Sequence, residues 1–116
     1  MGERTEGNFE PVVDSGALGQ LFAKSNQQPV VLFKHSNSCP ISSGAYSELR
    51  SVAVPISLIV VQNARALSNE IVERTGVRHE SPQVLVLKNE QVVWSASHWS
   101  ISADGVEDAV RQYSNQ

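Results

Sequence analysis

The apolar positions of this chain change period along its length, and each change marks an element. Leu18, Leu21 and Phe22 recur at spacings of three and four, which predicts a helix with one inward face; Asp14 or Ser15 stands where its cap is needed. Val30 to Phe33 then form a short, continuously apolar run, the pattern of a buried strand. Ile41, Ala45 and Leu49 return to a spacing of four, so a second helix begins near Cys39. Gly44 weakens that helix by about 1 kcal/mol relative to alanine, a cost usually accepted for close packing or approach. "ISLIVV" is a second buried strand. Ala64 to Thr75 follow as a helix with Leu67 and Ile71 inward, Asn63 available as a cap and Gly76 as the stop. After Pro82, "QVLVLK" and "QVVWSA" predict two strands, the second with Trp94 inward. They join at Asn89 and Glu90, where asparagine suits a left-handed turn and glycine would suit better than glutamate. Ser102 caps a last helix with Val106, Ala109, Val110 and Tyr113 on its inner stripe.

The first two strands are joined by a helix and are expected to run parallel through a right-handed crossover; the last two form an antiparallel hairpin. This order predicts an α/β fold, a mixed four-stranded sheet with helices on both faces. Residues 1–12, "MGERTEGNFEPV", read as a flexible polar lead-in and residues 13–116 as one domain. With 116 residues, 41% of them hydrophobic and 18% charged, the chain can bury one core without staples. A net charge of −3 gives no basic field for phosphates, which sets nucleic-acid binding aside. The longest apolar stretch, Val52 to Val61, is interrupted by Pro55 and Ser57 and is too short to span a membrane. The opening "MGERTEG" lacks an apolar secretion segment, and Glu6 stands where myristoylation wants Ser or Thr, so a cytoplasmic home is expected.

The candidate chemistry lies in "KHSNSCPISSG", which holds the only cysteine. Cys39 falls at the carboxyl end of the first strand and the amino end of the next helix, where open α/β sheets place their ligand sites. A helix N-terminus carries partial positive charge and unpaired N–H groups, so it favours a thiolate, the attacking form of cysteine. Pro40 suits the first turn, and Ser42, three residues on, can offer its hydroxyl to the sulfur. His35 and Lys34 precede the turn as candidates to add positive charge beside the sulfur, though strand alternation lets only one of them face that side. The competing readings are an inert core cysteine and a zinc site of Cys39, His35, His79 and His98. The polar "HSNS" and "SS" on either side argue for an exposed turn, and the spacings match no known zinc pattern, so no metal ligand is assigned.

"CPIS" resembles the active-site motif of the thioredoxin superfamily, with Ser42 in place of the second cysteine. "FKHSNSCPISS", "SNEIVERTGVRHESPQVLVLKN" and "SHWSIS" are similar to the monothiol bacilliredoxins, which remove bacillithiol from mixed disulfides on other proteins. The resemblance implies a thioredoxin-like fold, Cys39 as nucleophile, and a cis Pro82 facing it. In that arrangement the backbone of Ser81 is exposed to substrate. It also implies bacillithiol or a similar small thiol as co-substrate, with S-thiolated proteins and a resolving redox protein as partners and no tightly bound cofactor. Tryptophan before the cysteine and a resolving thiol after it are both absent, which argues against a general disulfide reductase. Two alternatives stay open at this level. One is an iron–sulfur carrier of monothiol glutaredoxin type, which a coloured purified protein would reveal; the other is a redox sensor that does not turn over.

Overall fold

The computed structural model describes residues 8–114. The elements, in order, are β1 (Phe9–Pro11), α1 (Ser15–Lys24), β2 (Val30–His35), α2 (Pro40–Leu49), β3 (Ile56–Val60), α3 (Arg65–Thr75), β4 (Gln83–Lys88), β5 (Gln91–Ser97), a 3-10 turn at His98–Ser100, and α4 (Ala103–Ser114). The sheet has five strands in the order β1-β3-β2-β4-β5, not four. β1 and β2 both run parallel to β3, while β2–β4 and β4–β5 are antiparallel.

The extra strand comes from Phe9–Pro11, inside the stretch that composition alone marks as a lead-in. Three residues with one apolar member carry no alternation that a sequence reading can detect. Pairing with Ile56, Ser57 and Leu58 of β3 is what makes them a strand. Residues 1–7 of that lead-in and 115–116 at the other end lie outside the described residues.

Alternation along β2 divides the interior into two layers. Val31 and Phe33 point toward α2 and α4, where they meet Ala45, Leu49, Val106 and Ala109. Val30 and Leu32 point toward α1 and α3, where they meet Leu18, Phe22, Leu67 and Ile71. Both faces of the central strands are therefore dry, which explains why β2 and β4 read as unbroken apolar runs.

Local signals fix most boundaries. Asp14 accepts from the Ala17 N–H at 2.8 Å and so starts α1. Ser102 accepts from the Gly105 N–H at 3.0 Å to start α4. Gly76 ends α3 in the left-handed region at φ 74°. The Asn89–Glu90 turn has both residues left-handed, at φ 56° and 65°. Glutamate is held in that conformation from outside the hairpin: Ser25 Oγ accepts from the Glu90 N–H at 2.9 Å, and Asn26 donates to its carboxylate at 2.8 Å.

Asn63 does not cap α3 as expected; the N-cap is Ala64, with no side-chain hydrogen bond. Of the two reasons for a glycine at position 44, close packing within the chain is excluded, since a Cβ built there would meet nothing within 4 Å, which leaves approach from outside.

Candidate functional site

Cys39 ends the loop that leaves β2 and is the N-cap residue of α2, with extended backbone at φ −110° and ψ 124°. Pro40 takes the first helical position, where a missing N–H leaves nothing unpaired. The first amides that α2 presents are therefore those of Ile41 and Ser42. The neutral thiol makes no capping hydrogen bond. Its pKa is nevertheless lowered from the ordinary 9.0: the Ser42 N–H contributes most, then the Ile41 N–H; burial opposes them, and the Ser42 hydroxyl adds the smallest lowering effect. The sulfur is half-exposed, as a nucleophile requires.

Ser42 connects the sulfur to the sheet. Its side chain is completely buried, and its oxygen accepts from the Ser36 N–H at 3.2 Å, so its one proton is available to the sulfur. His35 takes the α2 face of β2, as alternation allows only one of the pair to do. Its ring lies against Phe33 and Tyr46, with centroids 5.5 and 5.1 Å away. Burial lowers its pKa from 6.5, outweighing the upward effect of the Ser42 backbone, so the imidazole is neutral at neutral pH. Lys34 points the opposite way, into the α1–α3 layer. It is 0% exposed, and its ammonium has no hydrogen-bond partner among the described residues. The groups favouring the thiolate are thus neutral dipoles, two amides and a hydroxyl, rather than a neighbouring cation.

Ser81 and Pro82 reach the same end of the sheet. β4 begins at Gln83, which pairs with Lys34, so the two residues before it lie across from the end of β2. The Ser81–Pro82 peptide bond is cis. Pro82 is buried, and Ser81 Oγ is buried with no hydrogen-bond partner among the described residues. The Pro82 carbonyl accepts from the His98 N–H at 3.1 Å, tying the end of β5 to this loop. His98 also lies 3.7 Å from Glu80, and Trp99 beside it is 81% exposed, so that tryptophan is not a core residue. Among the described residues no three His, Cys, Asp or Glu side chains converge as a metal site.

One organising residue escapes sequence reasoning. Gln62, just after β3, donates to Ser36 Oγ at 2.8 Å and Ser38 Oγ at 2.9 Å, and its carbonyl oxygen accepts from the Asn37 N–H at 3.3 Å. A single side chain therefore braces the whole loop that delivers Cys39. No local pattern marks Gln62, because its partners belong to a different crossover. Only the parallel pairing of β2 with β3 sets them side by side.

Comparison with known proteins agrees with this geometry. The chain is similar over 93% of its length to a structure provisionally assigned as an oxidoreductase with a thioredoxin fold, at 28% identity and a TM-score of 0.82, covering 98% of that chain. A mutant thioredoxin from Halobacterium salinarum superposes with a TM-score of 0.70 at 15% identity, over 97% of this chain and 96% of that one. Thioredoxin from Fasciola hepatica gives 0.71 at 10% identity, over 90% and 98%. At such low identity the last two establish the fold alone. The sequence family described as monothiol bacilliredoxin BrxC matches residues 10–106, a span that includes Cys39, Ser42 and the Ser81–Pro82 bond. With a thioredoxin-like fold, a single cysteine at the head of α2 and a family match across most of its length, this chain belongs to the monothiol bacilliredoxins.

Proposed function

We propose that this protein removes bacillithiol, or a closely similar small thiol, from mixed disulfides on other proteins. Membership of a monothiol thiol–disulfide oxidoreductase family supports the reaction class. The observation that carries the reading is the half-exposed Cys39 sulfur at the first turn of α2, its thiolate favoured by the Ser42 and Ile41 amides. The Cys39 thiolate attacks the bacillithiol sulfur of a protein–S–S–bacillithiol adduct. That S–S bond breaks, its electron pair leaves with the protein sulfur, and the released thiolate takes a proton from water. Cys39 is then bonded to bacillithiol. With Ser42 where a resolving cysteine would stand, a second free thiol or another redox protein must attack this new disulfide and release Cys39.

The Ser81 backbone, beside the cis Pro82, serves as the short edge against which an extended substrate lies, with hydrogen bonds of the kind an added strand would make. A moderate lowering of the thiol pKa fits this chemistry. An attacking thiol works best with its pKa near ambient pH, because nucleophilicity falls as acidity rises. A reducing compartment, the cytoplasm, keeps such a thiol available.

The test is mass spectrometry after incubation with a bacillithiolated protein. A gain of one bacillithiol on Cys39, with release of the reduced substrate and loss of both events in Cys39→Ser, is the expected result. Substrate that stays bacillithiolated in the presence of wild-type protein overturns the reading.

A further inference from the structure

A cavity of about 480 Å³ opens beside the Cys39 loop, lined by Ser36, Val61, Gln62, Arg65, Ser68, Asn69 and His79. Its volume is within the range of small-molecule sites. None of the described residues that line it is acidic, in a chain whose net charge is −3. They offer instead the Arg65 guanidinium, the His79 ring, two hydroxyls and two amides.

Three further observations point to an anion. The cavity covers the first turn of α3, an 11-residue helix whose N-cap, Ala64, supplies no side-chain oxygen to its leading amides. Ser68, one of the lining residues, is only 6% exposed, and its hydroxyl has no hydrogen-bond partner among the described residues. A buried hydroxyl is normally paired, so one left over in this wall can serve a polar group that enters the cavity. Lys34, 0% exposed and without a hydrogen-bond partner among the described residues, is close enough to the lining His79 for its charge to act on that ring, as does that of Glu80 with the opposite sign.

The cavity is also next to the chemistry. Ser36 belongs to its wall, and the Cys39 N–H approaches the Ser36 carbonyl at 3.5 Å, so wall and nucleophile are joined by a single turn. The α-carbons across such a turn are within about 7 Å of each other. Gln62, the brace of that loop, is shared between the two.

We propose that this cavity receives the carboxylate-bearing end of the small thiol whose sulfur exchanges with Cys39, with Arg65 and the head of α3 holding the carboxylate and Ser68 a neighbouring polar group. The proposal rests on the exchange reading above and adds its specificity site: thiols lacking an anionic group would react with Cys39 without using the cavity.

S-methyl bacillithiol, which cannot exchange, is titrated into Cys39→Ser and followed by amide NMR, with S-methylcysteamine as the probe lacking a carboxylate. Shifts centred on Arg65, Ser68 and Asn69 with the first probe only, weakened about tenfold by Arg65→Gln and several-fold by Ser68→Ala, are expected. In parallel, both variants on the wild-type background should react more slowly with a bacillithiolated protein but at an unchanged rate with hydroxyethyl disulfide. Shifts confined to other surfaces, or variants that bind S-methyl bacillithiol as tightly as Cys39→Ser alone, overturn the proposal even if exchange itself is intact. Conversely, if wild-type protein does not take up bacillithiol while S-methyl bacillithiol still shifts these residues, the exchange reading falls and the cavity assignment stands.

Discussion

At the scale of single residues, the site depends on placing one anion and hiding one cation. Replacing Ser42 by alanine removes the hydroxyl that assists the Cys39 thiolate but leaves both helix amides, so the thiol pKa should rise without returning to 9.0. Ultraviolet titration of the thiolate checks this, and a Ser42→Ala thiol as acidic as wild type would remove the hydroxyl from the account. The Ser36 N–H would also lose its acceptor, at about 1 kcal/mol of stability. Because the folded pKa of Cys39 lies below its unfolded value, wild type should gain stability over Cys39→Ser as pH rises through that interval, be fully stabilised above 9.0, and lose the advantage below the folded pKa.

Lys34 gives the same sign of pH dependence, but as a penalty on the folded state rather than a gain. Burial lowers its pKa from 10.5 to about 8, against the upward pull of Glu80. Between those pH values the unfolded chain keeps a proton that the folded chain has released, so stability climbs with pH across the window, and the penalty is complete below about 8. Lys34→Met should therefore stabilise the protein by about 1 to 3 kcal/mol near neutral pH, with the difference shrinking between 8 and 10.5. Denaturant midpoints at the two ends of the window decide it; a variant less stable than wild type at neutral pH would mean that the ammonium has a partner in the folded state.

At the scale of elements, two backbone positions run against local preference for different reasons. Gly44 lies exposed in α2 with open space where its Cβ would be. Gly44→Ala should then raise stability by about 1 kcal/mol, with the gain visible as a higher unfolding midpoint. If Gly44→Ala folds normally but slows exchange on protein substrates alone, the bare helix surface is serving their approach. Glu90 is left-handed in the β4–β5 turn, a conformation that costs a non-glycine residue about 1 kcal/mol or more. Glu90→Gly completes the preferred Asn-Gly turn and loses only an exposed contact with Asn26. A net gain of about 0.5 kcal/mol in denaturant unfolding is expected, since the Ser25 contact to the backbone N–H survives the change. Destabilisation instead would show that the Asn26 contact outweighs the strain.

At the scale of the whole molecule, the short β1 strand ties the edge of the sheet to the site. Phe9 stacks on Tyr46 with centroids 4.4 Å apart, and Tyr46 in turn lies against His35, which shares the backbone of Ser42 with the Cys39 turn. This chain of contacts crosses β1, α2 and β2, elements far apart in sequence. Phe9→Ala should destabilise the fold by about 1 to 3 kcal/mol, less than full loss of a buried aromatic because Phe9 is only partly covered. Hydrogen exchange should quicken in β3, whose Ile56 N–H donates to the Asn8 carbonyl, before it quickens in β2 and β4 at the centre. Equal acceleration in all three strands would show β1 to be part of the cooperative core.

Most elements were legible because their signals are local. Periodicity marked four helices and the four longer strands, Asp14 and Ser102 marked helix starts, Gly76 a helix stop, and Asn89 the hairpin. The position of Cys39 at the head of α2 followed from the change of period between Phe33 and Ile41. What stayed hidden depends on pairing between distant segments. β1 has too few residues to carry a pattern and exists through β3; Gln62 braces the nucleophile loop only because parallel strands bring the two crossovers together. Whether His35 or Lys34 turns toward the sulfur was narrowed by alternation to one of two, and the sheet's two layers decided it. The sequence by itself determined where a thiolate would be favoured, since a helix dipole and its free amides are set by the residues next to it. Tertiary structure alone decided what surrounds that thiolate, because burial, the loss of charge on His35 and the cavity beside Ser36 arise from packing that no neighbouring residue specifies.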